Sequence, residues 1–321
     1  MADTIFDPQG RAQSDLGSSS KWASKAALFN RGAFNVNATR NPRFAEATFV
    51  FVPYCTGDLF YGTRREASDA SFGLYFSGAH IIDALAAELS ALDEVQNARL
   101  VVYGGESAGG LGALATLDRF GSALGSEAEV VGTPIGGYYF LNDAVYTGSD
   151  AQEYIPWGSS SDAWPHYYDL WQSYVPRRCA AAMGASEAWR CQVADFSFKY
   201  VSEEYRIFVS EALTDAVVTT LHDGVPNSAA PPFTSEQRAY LETWALTMSK
   251  SLIANAEAAP SAGVFAPACW THTTFDGIEL QGREHLAALS AWALDKQAVK
   301  LVDGCGALVA CNPTCDRKHA V

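Results

Sequence analysis

A serine flanked by glycines stands where a predicted strand passes into a predicted helix. Gly105, Ser107 and Gly109 complete a Gly-x-Ser-x-Gly pattern, directly after the apolar run 100–103 and directly before a helix-forming stretch. This is the context of a nucleophile elbow, in which small residues let the backbone and the helix approach closely while the serine hydroxyl rises above the sheet edge. The pattern predicts Ser107 as a nucleophile. The alternative is an ordinary glycine-rich turn in which Ser107 only caps the helix.

A serine hydroxyl is a poor nucleophile until a histidine, oriented by a carboxylate, takes its proton. After an elbow of this kind the acid comes first along the chain and the histidine second. His272 lies in a loop after the last predicted strand, 263–267, which is the position that the base requires. His285 falls within a helix-forming stretch and His319 in the C-terminal tail. We therefore predict His272 as the base; the alternative is a loop histidine with no catalytic task.

The carboxylate partner is predicted at the same edge of the sheet. Asp215 comes just after the predicted strand 206–210, so its side chain can reach the carboxyl ends of the strands. Asp223 competes, but His-Asp-Gly is more typical of a turn. Asp276 follows His272 too closely and in the wrong order. The predicted triad is Ser107, Asp215 and His272.

The elements that must position these residues alternate in type. Short β-branched and aromatic runs predict strands at 48–53, 98–103, 129–131, 206–210 and 263–267. Apolar residues at helical spacing predict helices at 81–92, 111–120, 235–255 and 284–294, and one short helix around 21–29 within an irregular segment, 1–45. Strand and helix in alternation indicate an α/β fold with a mostly parallel central sheet flanked by helices.

An aromatic-rich insertion, 151–191, lies between the third and fourth predicted strands, 129–131 and 206–210. It carries Trp157, Trp164, His166, Tyr167, Tyr168, Trp171 and Tyr174. An insertion at this point of an open α/β sheet is expected to fold over the carboxyl ends of the strands, where ligands bind. Its rings could stack on sugars or line an acyl pocket. The alternative is a helix whose stripe of Trp164, Tyr168, Trp171 and Val175 faces the core.

Length and charge narrow the class of protein. The chain has 321 residues, of which 48% are hydrophobic, so it can bury a large core. The strand order and the single Ser-Asp-His series predict one domain over 1–321. The 22 Lys and Arg against 36 Asp and Glu leave a net charge of −14, which repels polyphosphate and anionic lipid head groups. Nucleic acid is therefore excluded as a partner.

The compartment is predicted from cysteines and one sequon. No run reaches the roughly 18 apolar residues that a membrane span needs, and the first ten residues lack the basic and apolar regions of a secretory signal. Cys179 and Cys191 lie close in sequence, Cys305, Cys311 and Cys315 cluster near the end, and Asn37-Ala-Thr is a glycosylation sequon. These features favour an oxidising compartment.

Two motifs carry a family resemblance. Residues 52–58 read Val-Pro-Tyr-Cys-Thr-Gly-Asp and residues 104–110 read Gly-Gly-Glu-Ser-Ala-Gly-Gly. Both resemble the pectin acetylesterase and Notum family of α/β-hydrolase-like serine carboxylesterases, over residues 40–300. The resemblance implies Ser107 as nucleophile, Asp215 as acid and His272 as base.

The chain departs from the family pattern at two points. Glu106 occupies the elbow position where the family usually has Cys or Thr. The Gly-Gly-Gly-Trp-Cys-like loop that supplies backbone N–H groups to the family's oxyanion hole is absent, so only Ala108 N–H is predicted as a donor. Loss of one such donor costs about 10²- to 10³-fold in rate. We therefore expect a chain that is truncated at its N-terminus.

The resemblance also bears on the seven cysteines. It implies that Cys179 pairs with Cys191 and that Cys269 is tied to one of the C-terminal cysteines. The partner of Cys55 would lie in the missing segment. The alternative is a zinc site of Cys305, Cys311, Cys315 and His319, but this spacing matches no common zinc module.

Together these observations predict a serine carboxylesterase that removes O-acyl groups, most readily O-acetyl groups, from a polysaccharide such as pectin. No cofactor or metal is expected, and the protein is expected to be a secreted or cell-wall monomer. The alternatives are a protein O-acyl (lipid) deacylase of the Notum type and a catalytically impaired carbohydrate- or lipid-binding homologue.

Overall fold

The computed structural model describes residues 12–20, 22, 31–154 and 160–315. The helix predicted around 21–29 falls, apart from Trp22, outside these residues, as do Trp157 and His319. Within them, no helix is long and apolar enough to cross a bilayer.

A five-stranded parallel sheet forms the centre of the fold. The strands of the described chain are β1 Leu100–Glu106, β2 Glu129–Ile135, β3 Arg206–Ser210, β4 Thr214–Asp215, β5 Gly263–Ala266, β6 Trp270–Thr271, β7 Glu279–Leu280, β8 Arg283–Glu284 and β9 Lys300–Val302. The central sheet has the order β1-β2-β3-β5-β9, and all four neighbouring pairs are parallel. Strands β4 and β6 form a second parallel pair, and β7 and β8 an antiparallel one. Parallel neighbours require crossover connections, which the helices provide.

Helices cover both faces of the sheet. The α-helices of the described chain are α1 Gly78–Ser90, α2 Asp93–Gln96, α3 Ala108–Leu124, α4 Ala163–Trp171, α5 Arg177–Met183, α6 Ala194–Val201, α7 Ala216–Leu221, α8 Ser235–Ala258 and α9 His285–Ala293. In β3, Ile207 and Val209 enter a core shared with α3 and α8, whereas Phe208 enters a core shared with α9. Since successive side chains of a strand point to opposite faces, both faces are buried, and β3 reads as an uninterrupted apolar run.

Most of the predicted elements are confirmed. The strands predicted near 98–103, 129–131, 206–210 and 263–267 and the helices predicted near 81–92, 111–120, 235–255 and 284–294 are all present. Helix α8 begins where the sequence permits a capping box: the Thr234 hydroxyl accepts Gln237 N–H, and the Gln237 side chain accepts Thr234 N–H. The predicted α/β architecture with a mostly parallel sheet is correct.

The strand predicted at 48–53 is wrong. These residues belong to no strand, and Val50 and Phe51 are 43% and 44% exposed. A strand requires a hydrogen-bonded neighbour as well as suitable side chains, and within the described chain the outer edge of β1 has no paired strand. The apolar run alone does not reveal this lack of a partner.

The aromatic insertion contributes to the core. Trp164, Tyr167 and Trp171 are buried and belong to the same core as α3 and α8, while Tyr168 is half-buried. The Tyr167 and Trp171 rings lie 4.7 Å apart. This favours the interpretation of a core-facing stripe on α4. That the insertion covers the active site, and that the chain forms one domain, stay predictions.

Three disulfides link six of the seven cysteines. Cys179 is bonded to Cys191, Cys269 to Cys315, and Cys305 to Cys311, while Cys55 is free. Both implied pairings are confirmed. The zinc interpretation is wrong, because a disulfide sulfur is not the thiolate that binds zinc.

Two adjacent glycines of α3 should respond in opposite ways to alanine. A Cβ at Gly110 would lie 2.8 Å from Ile135 O and 3.1 Å from Gly105 O, whereas a Cβ at Gly109 would meet nothing within 4 Å. We expect Gly110→Ala to destabilise the protein by about 1–3 kcal/mol through overpacking. Gly109→Ala should be neutral or stabilising, by up to about 1 kcal/mol, because alanine is the better helix former. Thermal unfolding of the two variants would measure this difference, and equal midpoints would contradict the packing argument.

Candidate active site

The backbone at Ser107 is strained in the way a nucleophile elbow requires. Ser107 has φ 56° and ψ −119°, a region that residues with side chains rarely adopt. Its N–H donates to Ile135 O of β2 at 2.9 Å, which anchors the turn to the neighbouring strand. A Cβ at Gly105 would lie 2.3 Å from Gly109 O, so glycine is needed where the turn closes. The Ser107 side chain makes no capping hydrogen bond to α3, contrary to the alternative that this serine is only a helix cap.

Ala108 is the first residue of α3. The N–H groups of a helix's first turn have no acceptor within the helix, so Ala108 N–H is suited to bind an oxyanion that forms beside Ser107. Its role as oxyanion donor stays a prediction.

Asp215 and His272 are brought together by β4 and β6. In this pair Asp215 is the neighbour of Thr271, and His272 follows immediately. His272 Nδ1 and Asp215 Oδ2 lie 2.6 Å apart. Asp215 Oδ1 accepts the N–H groups of Val217 and Val218, both at 2.9 Å, at the start of α7. The carboxylate is thus held by the backbone on one oxygen and by the imidazole on the other.

The second ring nitrogen of His272 makes no hydrogen bond within the described chain. The side chain is 12% exposed, and Nε2 is buried with no hydrogen-bond partner among the described residues, Ser107 Oγ included. A Cβ at Gly136 would lie 3.2 Å from His272 Cε1, and Gly136 directly follows Ile135, whose carbonyl accepts Ser107 N–H. The imidazole therefore lies beside the loop that anchors the elbow. Its Nε2 makes no other hydrogen bond in the described chain and can accept a proton.

The electrostatic environment favours a protonated His272. Burial of the ring lowers its pKa, but the charge and hydrogen bond of Asp215, together with the charge of Glu106, outweigh burial and raise the pKa above its ordinary value of 6.5. Glu106 is itself paired with Arg31 Nη2, and burial raises the Glu106 pKa despite that guanidinium. The imidazolium that forms when a serine hydroxyl loses its proton is thus stabilised by two carboxylates.

The competing residues have other partners. Asp223 is buried and its Oδ2 accepts Trp244 Nε1–H at 3.0 Å. His285 is buried, its Nε2 lies 2.7 Å from Ser210 Oγ, and burial lowers its pKa to about 4. Asp276 is exposed.

Across residues 12–20, 22, 31–154 and 160–315, no cluster of three or more His, Cys, Asp or Glu side chains could hold a metal ion.

The motif at 52–58 ends on a buried carboxyl group. Asp58 is fully buried, and its two oxygens accept Phe60 N–H at 3.0 Å and Gly78 N–H at 2.9 Å. Burial raises its pKa to about 6. The side chain ties residues 58–60 to the first residue of α1, so this part of the motif is structural.

Sequence reasoning missed Glu211. This glutamate is fully buried one residue after β3 and four residues before Asp215. Burial and the Asp215 carboxylate raise its pKa well above the ordinary value. The signal in the sequence is an acidic residue directly after an apolar strand, at the edge of the sheet where Asp215 is also predicted.

The chain is similar in sequence and in fold to known proteins. The family model described as pectinacetylesterase matches residues 3–316. The palmitoleoyl-protein carboxylesterase NOTUM of Homo sapiens is 26% identical over 306 residues, which are 88% of this chain and 58% of that protein. The corresponding protein of Schmidtea mediterranea is 28% identical over 208 residues, or 64% of this chain and 38% of that protein. The solved structure of the Wnt deacylase Notum from Drosophila superimposes with a TM-score of 0.77 at 24% identity, over 98% of this chain and 85% of that one. The chain spans less than two thirds of the length of these two curated relatives.

The pH dependence of turnover should report the charges around His272. As a general base the imidazole must be neutral, so kcat/KM should fall as pH drops through a pKa above 6.5. Glu106→Gln removes a charge that raises this pKa and should move the acid limb to lower pH. Glu187→Gln, whose carboxylate pairs with Arg190 on the surface, serves as the control. An acid limb that stays in place in Glu106→Gln would contradict the electrostatic argument.

Proposed function

Since this chain belongs to the pectinacetylesterase family, we propose that it is a carboxylic ester hydrolase that uses Ser107, His272 and Asp215 as a catalytic triad. The observation that carries the proposal is the environment of the His272 side chain. Its Nδ1 is hydrogen-bonded to the fully buried Asp215 carboxylate, while its Nε2 has no hydrogen-bond partner within the described chain. This is the arrangement of a general base that serves a neighbouring hydroxyl.

The reaction would proceed in two halves. Ser107 Oγ attacks the ester carbonyl as His272 Nε2 takes its proton, and Ala108 N–H stabilises the oxyanion. The imidazolium then protonates the leaving alkoxide, which departs as the alcohol and leaves an acyl-serine. Water, deprotonated by His272, attacks this acyl group, and the imidazolium returns the proton to Ser107 Oγ as the carboxylic acid leaves. Asp215 holds the ring and stabilises its charged form throughout.

We propose an O-acetyl ester of a polysaccharide, such as pectin, as the substrate. The family's description supports the acetyl group and the polysaccharide. The reaction requires proton transfer and oxyanion stabilisation only, so the proposal includes no cofactor and no metal, and the protein is proposed to act as a monomer.

A second candidate is removal of a longer acyl chain from a protein. The observation in its favour is that the curated relatives named above are palmitoleoyl-protein carboxylesterases. The same triad serves both substrates, because the chemistry at the ester carbonyl is identical. The size of the acyl-binding space and the loops around it would determine whether an acetyl group or a longer acyl chain is accepted.

An extracellular location is part of the proposal. Three disulfides are typical of proteins that fold in an oxidising compartment. Asn37 of the sequon is exposed, so a glycan could be accommodated there.

Replacement of the nucleophile tests the assignment directly. Wild-type protein should hydrolyse 4-nitrophenyl acetate, and Ser107→Ala should lower kcat by roughly 10⁴-fold or more, because it removes the attacking oxygen. Ser90→Ala is the control, since Ser90 lies at the end of α1 and its hydroxyl donates to Ala87 O of the same helix. Mass spectrometry should find a fluorophosphonate adduct on Ser107. Equal turnover by wild type and Ser107→Ala would refute the triad.

The acyl preference can be measured on the same protein. We expect kcat/KM to be highest for 4-nitrophenyl acetate and to fall as the acyl chain lengthens from two to sixteen carbons, with acetylated pectin releasing acetate. A maximum at eight or more carbons would overturn the acetyl assignment and favour the second candidate. Binding of acetylated pectin without any release of acetate would instead indicate a non-catalytic homologue.

A further inference from the structure

Glu211 is a second buried carboxyl group behind the predicted triad. It lies in the segment 211–215, which continues β3 alongside the extension of β5: Glu211 N–H donates to Phe265 O at 3.1 Å, and Leu213 N–H to Pro267 O at 2.9 Å. Both Glu211 and Asp215 have no exposed surface. Two carboxyl groups buried on one short segment must share their proton and their hydrogen bonds in a defined way.

The surroundings of Glu211 offer few donors. Its Oε2 accepts Tyr138 N–H at 2.8 Å, while Oε1 is buried and receives no hydrogen bond from any donor in the described chain. The side chains of Glu211 and Asp215 lie within hydrogen-bonding range of each other. Oxygen atoms of two carboxyl groups can hydrogen-bond only if one of them carries a proton.

The hydrogen-bond donors around Glu211 and Asp215 determine which of the two carboxyl groups carries the proton. Asp215 receives two backbone N–H groups on Oδ1 and the imidazole on Oδ2, and donors of this kind favour the ionised form of a carboxyl group. The Glu211 side chain has fewer donors, and the charge of Asp215 opposes a second negative charge close by. The proton therefore belongs on Glu211.

We propose that Glu211 is a positioning residue of the active site, a neutral carboxylic acid that donates its O–H to Asp215 and holds that carboxylate in the orientation that binds His272. This rests on the proposed function, since Asp215 and His272 are the acid and base of that reaction. Glu211 also joins the site to the loop after β2 through Tyr138 N–H, and this loop contains Gly136, which lies against the His272 ring.

The charge state of Glu211 has a measurable consequence at His272. The groups that interact electrostatically with Glu211 are Asp215 and Tyr139, and burial keeps the Tyr139 pKa well above 10, so this phenol is neutral in the working range. A neutral Glu211 adds no charge at the imidazole and affects the His272 pKa through the position of Asp215. An ionised Glu211 would instead add to the negative potential at the imidazole.

Two variants distinguish these states. In Glu211→Gln the amide N–H can donate to Asp215 while the amide oxygen accepts Tyr138 N–H, so kcat and the acid limb of kcat/KM should match wild type. In Glu211→Leu the donor is lost, and kcat should fall about 10²-fold with little change in KM because the triad is misplaced. The acid limb should move to lower pH, because a misplaced Asp215 no longer raises the His272 pKa through its hydrogen bond.

Two other outcomes would overturn the proposal. If Glu211 were ionised, both variants would lose a negative charge and both acid limbs would move to lower pH. If its role were only to fill space, Glu211→Leu would lower the thermal midpoint and leave the pH profile of the folded protein unchanged. Either result refutes a neutral positioning residue.

The test remains informative if the proposed esterase activity fails. The pKa of His272 can be followed by NMR titration of the ring protons, assigned with His272→Gln, without any substrate. We expect the His272 pKa to be lower in Glu211→Leu than in wild type, and equal to wild type in Glu211→Gln. Loss of this order refutes the proposal for Glu211, whereas absence of turnover in wild type refutes the proposed function.

Discussion

The candidate site depends on the hydrogen bond between His272 Nδ1 and Asp215 Oδ2. The two residues are far apart in the chain, and they meet because β3 and β5 are parallel neighbours whose extensions stay side by side as β4 and β6. Parallel strands deliver their carboxyl ends to one edge of a sheet. The acid and the base are thus positioned by the backbone ladder of the core, which is more rigid than a surface loop.

The elbow depends on close backbone packing. Ser107 adopts its positive φ because the turn is fixed at both ends, through its own N–H on Ile135 O and through the contact between Gly105 and Gly109. A Cβ at Gly137 would lie 2.5 Å from Gly110 C, so the loop after β2 also packs directly on α3. Small residues here permit contact between main chains, and the strain at Ser107 is compensated by that packing.

Buried carboxyl groups play different parts in this acidic chain. Asp58 fastens a loop to α1 by two backbone N–H groups, and Asp215 orients the imidazole. Glu211, with fewer donors and a charged neighbour, is the group on which protonation is least costly. All three carboxyl groups are fully buried, so their roles differ through the groups that each one contacts. Glu106 acts differently, because it is partly exposed and affects His272 through its charge alone.

The sequence by itself indicated four strands of the central sheet, four of the helices and the turn at Ser107, because apolar periodicity and glycine spacing are local properties. It also predicted Asp215 and His272 over their competitors from their order in the chain. It also indicated, through the resemblance, which cysteines pair. Only the tertiary structure decided that 48–53 is not a strand, that the aromatic rings of α4 face the core, and that Glu211 lies against Asp215. Each of these depends on a neighbour distant in the chain: a strand needs a partner, a ring needs a surface to cover, and the charge of a carboxyl group depends on donors that other segments supply.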